Sequence, residues 1–160
     1  MTRQIKKLSM LLITLLLLTG FTYAHGLFGI RTGLYEEIDE MYLGAEWMHR
    51  ASERIEFNPN LEYVIIPESR YVALNWDANY NLVNSKTGFI EAGGGLALIF
   101  INDEALEKDE MELGINTALT AGLVIHGRYL PYVQAKYVFN NAIKNQLVVG
   151  LGMRFRLSAY

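Results

Sequence analysis

Residues 71–82 read YVALNWDANYNL, and the order of their side chains decides the fold. Every second position is apolar, while most positions between them carry asparagine, aspartate or a small residue. The apolar set comprises Val72, Leu74, Trp76, Ala78, Tyr80 and Leu82. A two-residue period sustained over this length predicts a β-strand whose two faces meet different surroundings. The same period recurs at residues 54–65 and 146–157.

The period predicts eight strands along the chain. They span about 28–36, 40–49, 54–65, 70–82, 88–101, 109–123, 129–139 and 146–157. Most connections are short and rich in turn residues, whereas the connection at 102–110 is longer and strongly acidic. Strands joined by tight turns run antiparallel, so we expect an all-β, eight-stranded, up-and-down barrel. Pro59 falls inside the third strand and lacks a donor, which predicts a bulge or a break there.

The first 24 residues predict an export signal rather than a strand. Arg3, Lys6 and Lys7 precede an apolar run at 8–18, and small or tolerated residues end at Ala24. The run is shorter than the roughly 20 residues that a membrane-spanning helix needs. We therefore expect a cleaved signal peptide at 1–24 and one barrel domain at 25–160.

Charge and composition exclude several classes of function. The predicted leader holds three of the 14 basic residues and no acid, which leaves 11 basic against 17 acidic residues and a formal charge of −6. This balance argues against a nucleic-acid partner. The chain has no cysteine, which excludes disulfides, thiolate metal sites and cysteine nucleophiles. His25, His49 and His126 share no metal-ligand spacing, so we expect neither metal nor cofactor.

The period alone leaves open which face points outward. In a soluble lipocalin-type barrel the apolar face lies inside, whereas in a membrane barrel it faces lipid. The polar face is rich in glycine and asparagine, which suits the narrow interior of an eight-stranded barrel. The apolar face carries aromatic residues and almost no charge in strands three to eight. These features favour a transmembrane barrel, and strands of this length suffice to cross a bilayer when tilted, for which about 9–11 residues are needed.

Five segments of this pattern are Phe57–Tyr63, Leu74–Tyr80, Gly93–Leu96, Leu113–Asn116 and Leu151–Phe155. Together they resemble the small outer-membrane β-barrel proteins, the porin-like relatives of the OmpX and OmpA barrel domains. The resemblance implies a bacterial outer-membrane location, lipid as the surroundings and insertion by the outer-membrane assembly machinery. It also implies that the N-terminus and the short turns lie on the periplasmic side.

The chain departs from this family at two places. Its members end on an aromatic residue in phase with the outward face, whereas Tyr160 is out of register and predicts a shift near Ser158 or an imperfect assembly signal. The related lipid A deacylases use a His-x-Ser pair, which this sequence lacks, since His49 is followed by Arg50, Ala51 and Ser52. We therefore expect no enzymatic activity.

The phase of the strands directs ten charged residues into the lumen. They are Glu46, Glu56, Glu62, Asp77, Glu91 and Glu112, with Arg31, Lys136, Arg154 and Arg156. Buried charges must be paired, so these residues predict an ion-pair network that plugs a monomeric barrel with a structural or passive role. A narrow cation-preferring channel is the alternative. Paired carboxylates acting as an acid and a base, and a soluble lipocalin-like ligand-binding barrel, are further hypotheses.

Overall fold

The computed structural model describes residues 26–67, 69–103, 108–140 and 145–156. The predicted signal peptide at 1–24 lies outside these residues, as do the predicted shift near Ser158 and the position of Tyr160. Within the described ranges, no helix has the length and apolar character needed to cross a membrane.

Eight antiparallel strands close into one barrel. They are β1 Gly26–Tyr35, β2 Glu40–Arg50, β3 Ile55–Ile66, β4 Ser69–Asn84, β5 Gly88–Asp103, β6 Lys108–Leu123, β7 Tyr129–Phe139 and β8 Gln146–Arg156. Each strand pairs with its neighbour in sequence, and β8 returns to pair with β1. Closure leaves no open sheet edge, which a barrel surrounded by lipid requires. The predicted up-and-down barrel is confirmed.

The alternation of side chains places the apolar face on the outside. Met111 and Leu113 of β6 are 68% and 67% exposed, whereas Asn116 of the same strand is 1% exposed. Along the middle of β3 and β4 the exposed positions are likewise apolar and the asparagines between them are buried, while the polar Arg70 and Asn84 are exposed near the ends of β4. A lipocalin-like barrel would have the opposite arrangement. The predicted membrane arrangement, with a polar interior, is therefore the one that the chain adopts.

Pro59 produces neither a bulge nor a break, so that prediction is wrong. β3 runs without interruption, and its pairs with β2 keep one register on both sides of the proline, at Glu46↔Asn60 and His49↔Phe57. The pairing with β2 is interrupted only between these two pairs, because proline has no N–H to donate. The loss stays local since the ladder to β4 continues through Pro59.

The prediction of a long acidic connection at 102–110 is also wrong. Asn102 pairs with Asp109 and Ile101 with Glu110, so β5 and β6 extend through most of that segment. Only residues 104–107 separate the two strands. Continued pairing satisfies the backbone N–H and C=O groups, and this requirement outweighs the weak strand preference of acidic residues.

Candidate functional site: the polar lumen and its mouth

The first buried cluster centres on Glu62, which β3 directs into the lumen. Its carboxylate is completely buried and accepts hydrogen bonds from Arg31 of β1 and from the hydroxyl of Tyr35. Lys136 of β7 places its Nζ 2.6 Å from both carboxylate oxygens. One carboxylate therefore links the three strands β1, β3 and β7 and faces two buried cations.

The second cluster centres on Arg154 of β8. Its Nε lies 2.9 Å from Oε1 of Glu46 on β2, and its Nη1 lies 3.0 Å from Oε2 of Glu91 on β5. The guanidinium carbon is 4.4 Å from the ring centroid of Tyr132 and 5.3 Å from that of Phe89. Such contacts stabilise a desolvated cation. Arg154 thus reaches across the lumen from β8 to both β2 and β5.

Arg31 connects the two clusters. Its Nη1 lies 3.8 Å from Oε2 of Glu46 and 3.3 Å from Oε1 of Gln134, while its Nη2 also donates to Asn60 at 2.9 Å. One guanidinium therefore contacts the carboxylates of both clusters. Since a guanidinium offers five donors in a fixed fork, arginine is well suited to such a branching position.

A row of asparagine amides completes the network. Asn75 donates to Asn60 at 2.8 Å, Asn116 donates to Asn75 at 3.1 Å, and Asn60 donates to Asp77 at 2.8 Å. Asp77 thus receives its hydrogen bond from an amide rather than from a cation. Asn58 extends the row by donating to Glu46 at 3.0 Å. The alternating asparagines signalled a polar interior, but their mutual pairing depends on the stagger of β3, β4 and β6.

Three of the predicted lumen residues lie away from these clusters. Glu56 pairs with Arg50 at 3.3 Å near the barrel mouth, where the Arg50 side chain is 55% exposed. Arg156 is exposed at the same mouth. Glu112 is half-buried on β6 and joins none of the ion pairs found within the described ranges. The two-residue period predicts which face of a strand a residue lies on, but not its depth in the lumen. This explains why these three residues lie away from the two clusters.

The two ends of the barrel differ in charge. The end at which β1 begins, termed the basic end, carries Arg50, Arg54, Lys86, Arg128 and Arg156. The opposite end, termed the acidic end, carries Glu36, Glu37, Asp39, Glu40 and Glu110. The basic end holds the connections at 51–54, 85–87 and 124–128.

A cavity of about 580 Å³ opens at the basic end, beside the cluster that contains Arg154. We term it the vestibule, and its charged lining consists of Arg50, Glu56, Lys86, Glu91 and Arg156. Glu91 belongs both to this lining and to the Arg154 cluster, so the vestibule adjoins the buried network. Across the described residues, no three His, Cys, Asp or Glu side chains gather as a metal site would require.

No protein-family model and no curated protein sequence matches the chain. Its structure is similar to the N-terminal β-barrel domain of Pseudomonas aeruginosa OprF, with a TM-score of 0.71 and 13% identity over 81% of this chain and 95% of that one. It is also similar to Neisserial surface protein A, with a TM-score of 0.63 and 10% identity over 82% and 94% of the two chains.

A third similar structure is the outer membrane enzyme PagL, with a TM-score of 0.54 and 14% identity over 81% of this chain and 98% of that one. A fold of this kind carries unrelated functions. At these identities the likeness concerns architecture. The chain has the closed eight-stranded fold of the small outer-membrane β-barrels.

Proposed function

We propose that the chain is an integral β-barrel of the bacterial outer membrane with a structural or passive role, its lumen plugged by buried ion pairs and amide hydrogen bonds. The observation that supports this most is Arg154, which is completely buried while it joins Glu46 on β2 to Glu91 on β5. A side chain that is hydrogen-bonded to residues on two other strands occupies the space through which a solute would have to pass.

The charge pairing supports a plug that is costly to open. Glu62 faces Arg31 and Lys136, so displacing its carboxylate would leave Lys136 without a carboxylate and Arg31 with only that of Glu46, 3.8 Å away. Removing one partner of a buried pair costs roughly 3–5 kcal/mol. A passing ion would have to supply a comparable free energy at both clusters.

The location follows from the surface of the barrel and from its fold. The outward face is apolar along every strand, and an exposed apolar surface of this extent is stable in lipid rather than in water. We therefore propose outer-membrane lipid as the surroundings, insertion by the outer-membrane assembly machinery and a monomeric state.

The test combines gel mobility with planar-bilayer recording. Folded protein extracted in detergent should migrate differently before and after boiling, and it should leave planar bilayers silent. Arg154→Ser, which removes the side chain that spans the lumen, should produce conductance events in a barrel that keeps the unboiled mobility. Steady conductance by the unaltered protein would contradict the plug.

A narrow cation-preferring channel is the second candidate. Among the described residues, the buried charges comprise five carboxylates, of Glu46, Glu56, Glu62, Asp77 and Glu91, against three cations, of Arg31, Lys136 and Arg154. An acidic lumen favours cations. This candidate requires conductance by the unaltered protein. Under a potassium chloride gradient, the reversal potential should shift toward the equilibrium potential of potassium. A reversal potential near zero would exclude the preference.

A further inference from the structure

The vestibule contains hydrogen-bond donors that have no acceptor. Asn81 lines it and is only 7% exposed, yet its Nδ2 has no hydrogen-bond partner. Lys86 and Arg156 line the same cavity, and within the described part of the chain neither side chain enters an ion pair. Lys86 and Arg156 are exposed, whereas the buried amide of Asn81 offers a directed hydrogen bond to an oxygen that enters the cavity.

Each carboxylate of the vestibule pairs with an arginine. Oε1 of Glu56 lies 3.3 Å from Nη2 of Arg50. Both oxygens of Glu91 accept from Nη1 of Arg154, at 3.1 and 3.0 Å. Oε2 of Glu56 forms no hydrogen bond within the described residues. Three cations, Arg50, Lys86 and Arg156, nevertheless line the cavity against two carboxylates, so the lining is net positive and the complementary group is an oxyanion.

Asn81 faces the cavity because it is the last residue of the inward phase of β4, and a β-bulge follows it. The register between β4 and β5 shifts between Asn81 and Val83, so Leu82 is an extra residue on β4. Leu82 and Val83 are both exposed, whereas Asn81 stays buried. The bulge ends the alternation of β4 at the rim, so Asn81 is the amide of this strand that lies at the vestibule.

The vestibule also has an apolar wall. Phe89 and Leu130 form a buried cluster, against which Leu27 and Val124 pack, and all four residues line the cavity. A volume of about 580 Å³ lies within the range of small-molecule sites. The site therefore suits an oxyanion that carries a small apolar substituent.

We propose that the vestibule binds a phosphate ester. Asn81, Lys86 and Arg156 donate to the phosphate oxygens, while the substituent packs against Phe89 and Leu130. Two sources share this chemistry: the headgroup of a phospholipid beside the basic end, and a soluble phosphate ester that enters from water. The proposal concerns a binding site and is independent of whether the lumen conducts.

The experiment titrates phenyl phosphate into the barrel folded in octyl glucoside micelles and follows the backbone amides by NMR. Saturable shifts at Asn81, Lys86 and Arg156 are expected, and phenol, which lacks the phosphate, should produce none. Lys86→Gln and Arg156→Gln should each weaken binding roughly tenfold or more, since each removes a charged donor. Absence of saturable binding by phenyl phosphate would overturn the proposal.

Arg128→Gln is the matched control, because Arg128 is an exposed cation of the basic end that does not line the vestibule. This variant should change the affinity less than twofold, and all variants should keep the mobility of the unboiled barrel. Equal weakening by Arg128→Gln and Arg156→Gln would mean that the rim attracts anions without a site, which refutes the proposal.

Repeating the titration in phosphatidylglycerol nanodiscs distinguishes the two sources. A lower apparent affinity for phenyl phosphate than in glucoside micelles supports the site with a lipid headgroup as its occupant. An unchanged affinity supports the site with a soluble ester as its occupant.

Discussion

Glu62 shows at the scale of one residue why the lumen depends on its pairing. The carboxylate is completely buried and faces Arg31 and Lys136, whose side chains are 1% and 2% exposed. Burying a charge is costly in any protein, and close opposite charges offset that cost only while all partners are present. Removing the one carboxylate would leave two cations that water cannot reach.

Glu62→Gln is expected to lower the free energy of unfolding by roughly 3–5 kcal/mol, because it preserves shape and removes only the compensating charge. Urea unfolding of the refolded barrel in micelles, followed by tryptophan fluorescence, measures the change. Glu56→Gln is the control, and it should cost less than about 1 kcal/mol because its partner Arg50 remains hydrated at the mouth. Equal losses in both variants would show that burial of the partner cations does not determine the cost.

At the scale of the element, β4 and β5 pair closely because β5 is rich in glycine. A Cβ atom at Gly95 would meet the carbonyl oxygen of Trp76 and the backbone of Asp77. A third nearby atom is Oδ1 of the Asp77 side chain, but the other two belong to the backbone of β4, so β4 itself would have to move. Gly93 and Gly95 therefore permit a close approach of β5 to β4 in mid-barrel, whereas a Cβ atom at Gly94 would meet the carbonyl oxygen of Asn116 on β6.

Gly95→Ala is accordingly expected to destabilise the barrel by roughly 1–3 kcal/mol, the usual cost of overpacking a closely packed site. A lower urea midpoint in the same unfolding experiment would show this destabilisation. Gly114→Ala on β6 serves for comparison, since the atoms nearest to its Cβ lie at 3.1 and 3.4 Å and need to move only slightly. A Gly95→Ala barrel as stable as Gly114→Ala would show that β4 and β5 separate at little cost.

At the scale of the whole molecule, the barrel is charged differently at its two ends. The acidic end includes the turn Glu36–Ile38 between β1 and β2, and the basic end includes the connection at 51–54 between β2 and β3. If the resemblance to outer-membrane barrels extends to orientation, the basic end faces the periplasm and the acidic end faces the medium.

Single cysteines test this orientation, because the chain has none of its own. Glu37→Cys at the acidic end should react with a membrane-impermeant maleimide in intact cells. Glu53→Cys at the basic end should react only after the outer membrane has been disrupted. Both residues are exposed, so access to the reagent differs only through the membrane. Labelling in the reverse order would contradict the orientation.

Much of the barrel could be predicted from the sequence, because alternation is a property of the extended backbone itself. The eight strands and their antiparallel order follow from local period and turn residues. The lengths of β5 and β6 did not follow, since pairing between strands outweighed the weak strand preference of the acidic residues near Asp109. The pairing around Pro59 could not be predicted from the sequence either, because the effect of a missing donor depends on how β3 pairs with β2 and with β4.

The sequence by itself thus determined the number of strands, their order and the composition of their two faces. Only the tertiary structure decided which buried charges meet. Glu62 and Lys136 are 74 residues apart, and Glu46 and Arg154 are 108 apart, so their contacts depend on closure of the sheet. The physical reason is that the two-residue period sets whether a side chain points inward, whereas the stagger of the closed barrel sets its depth in the lumen.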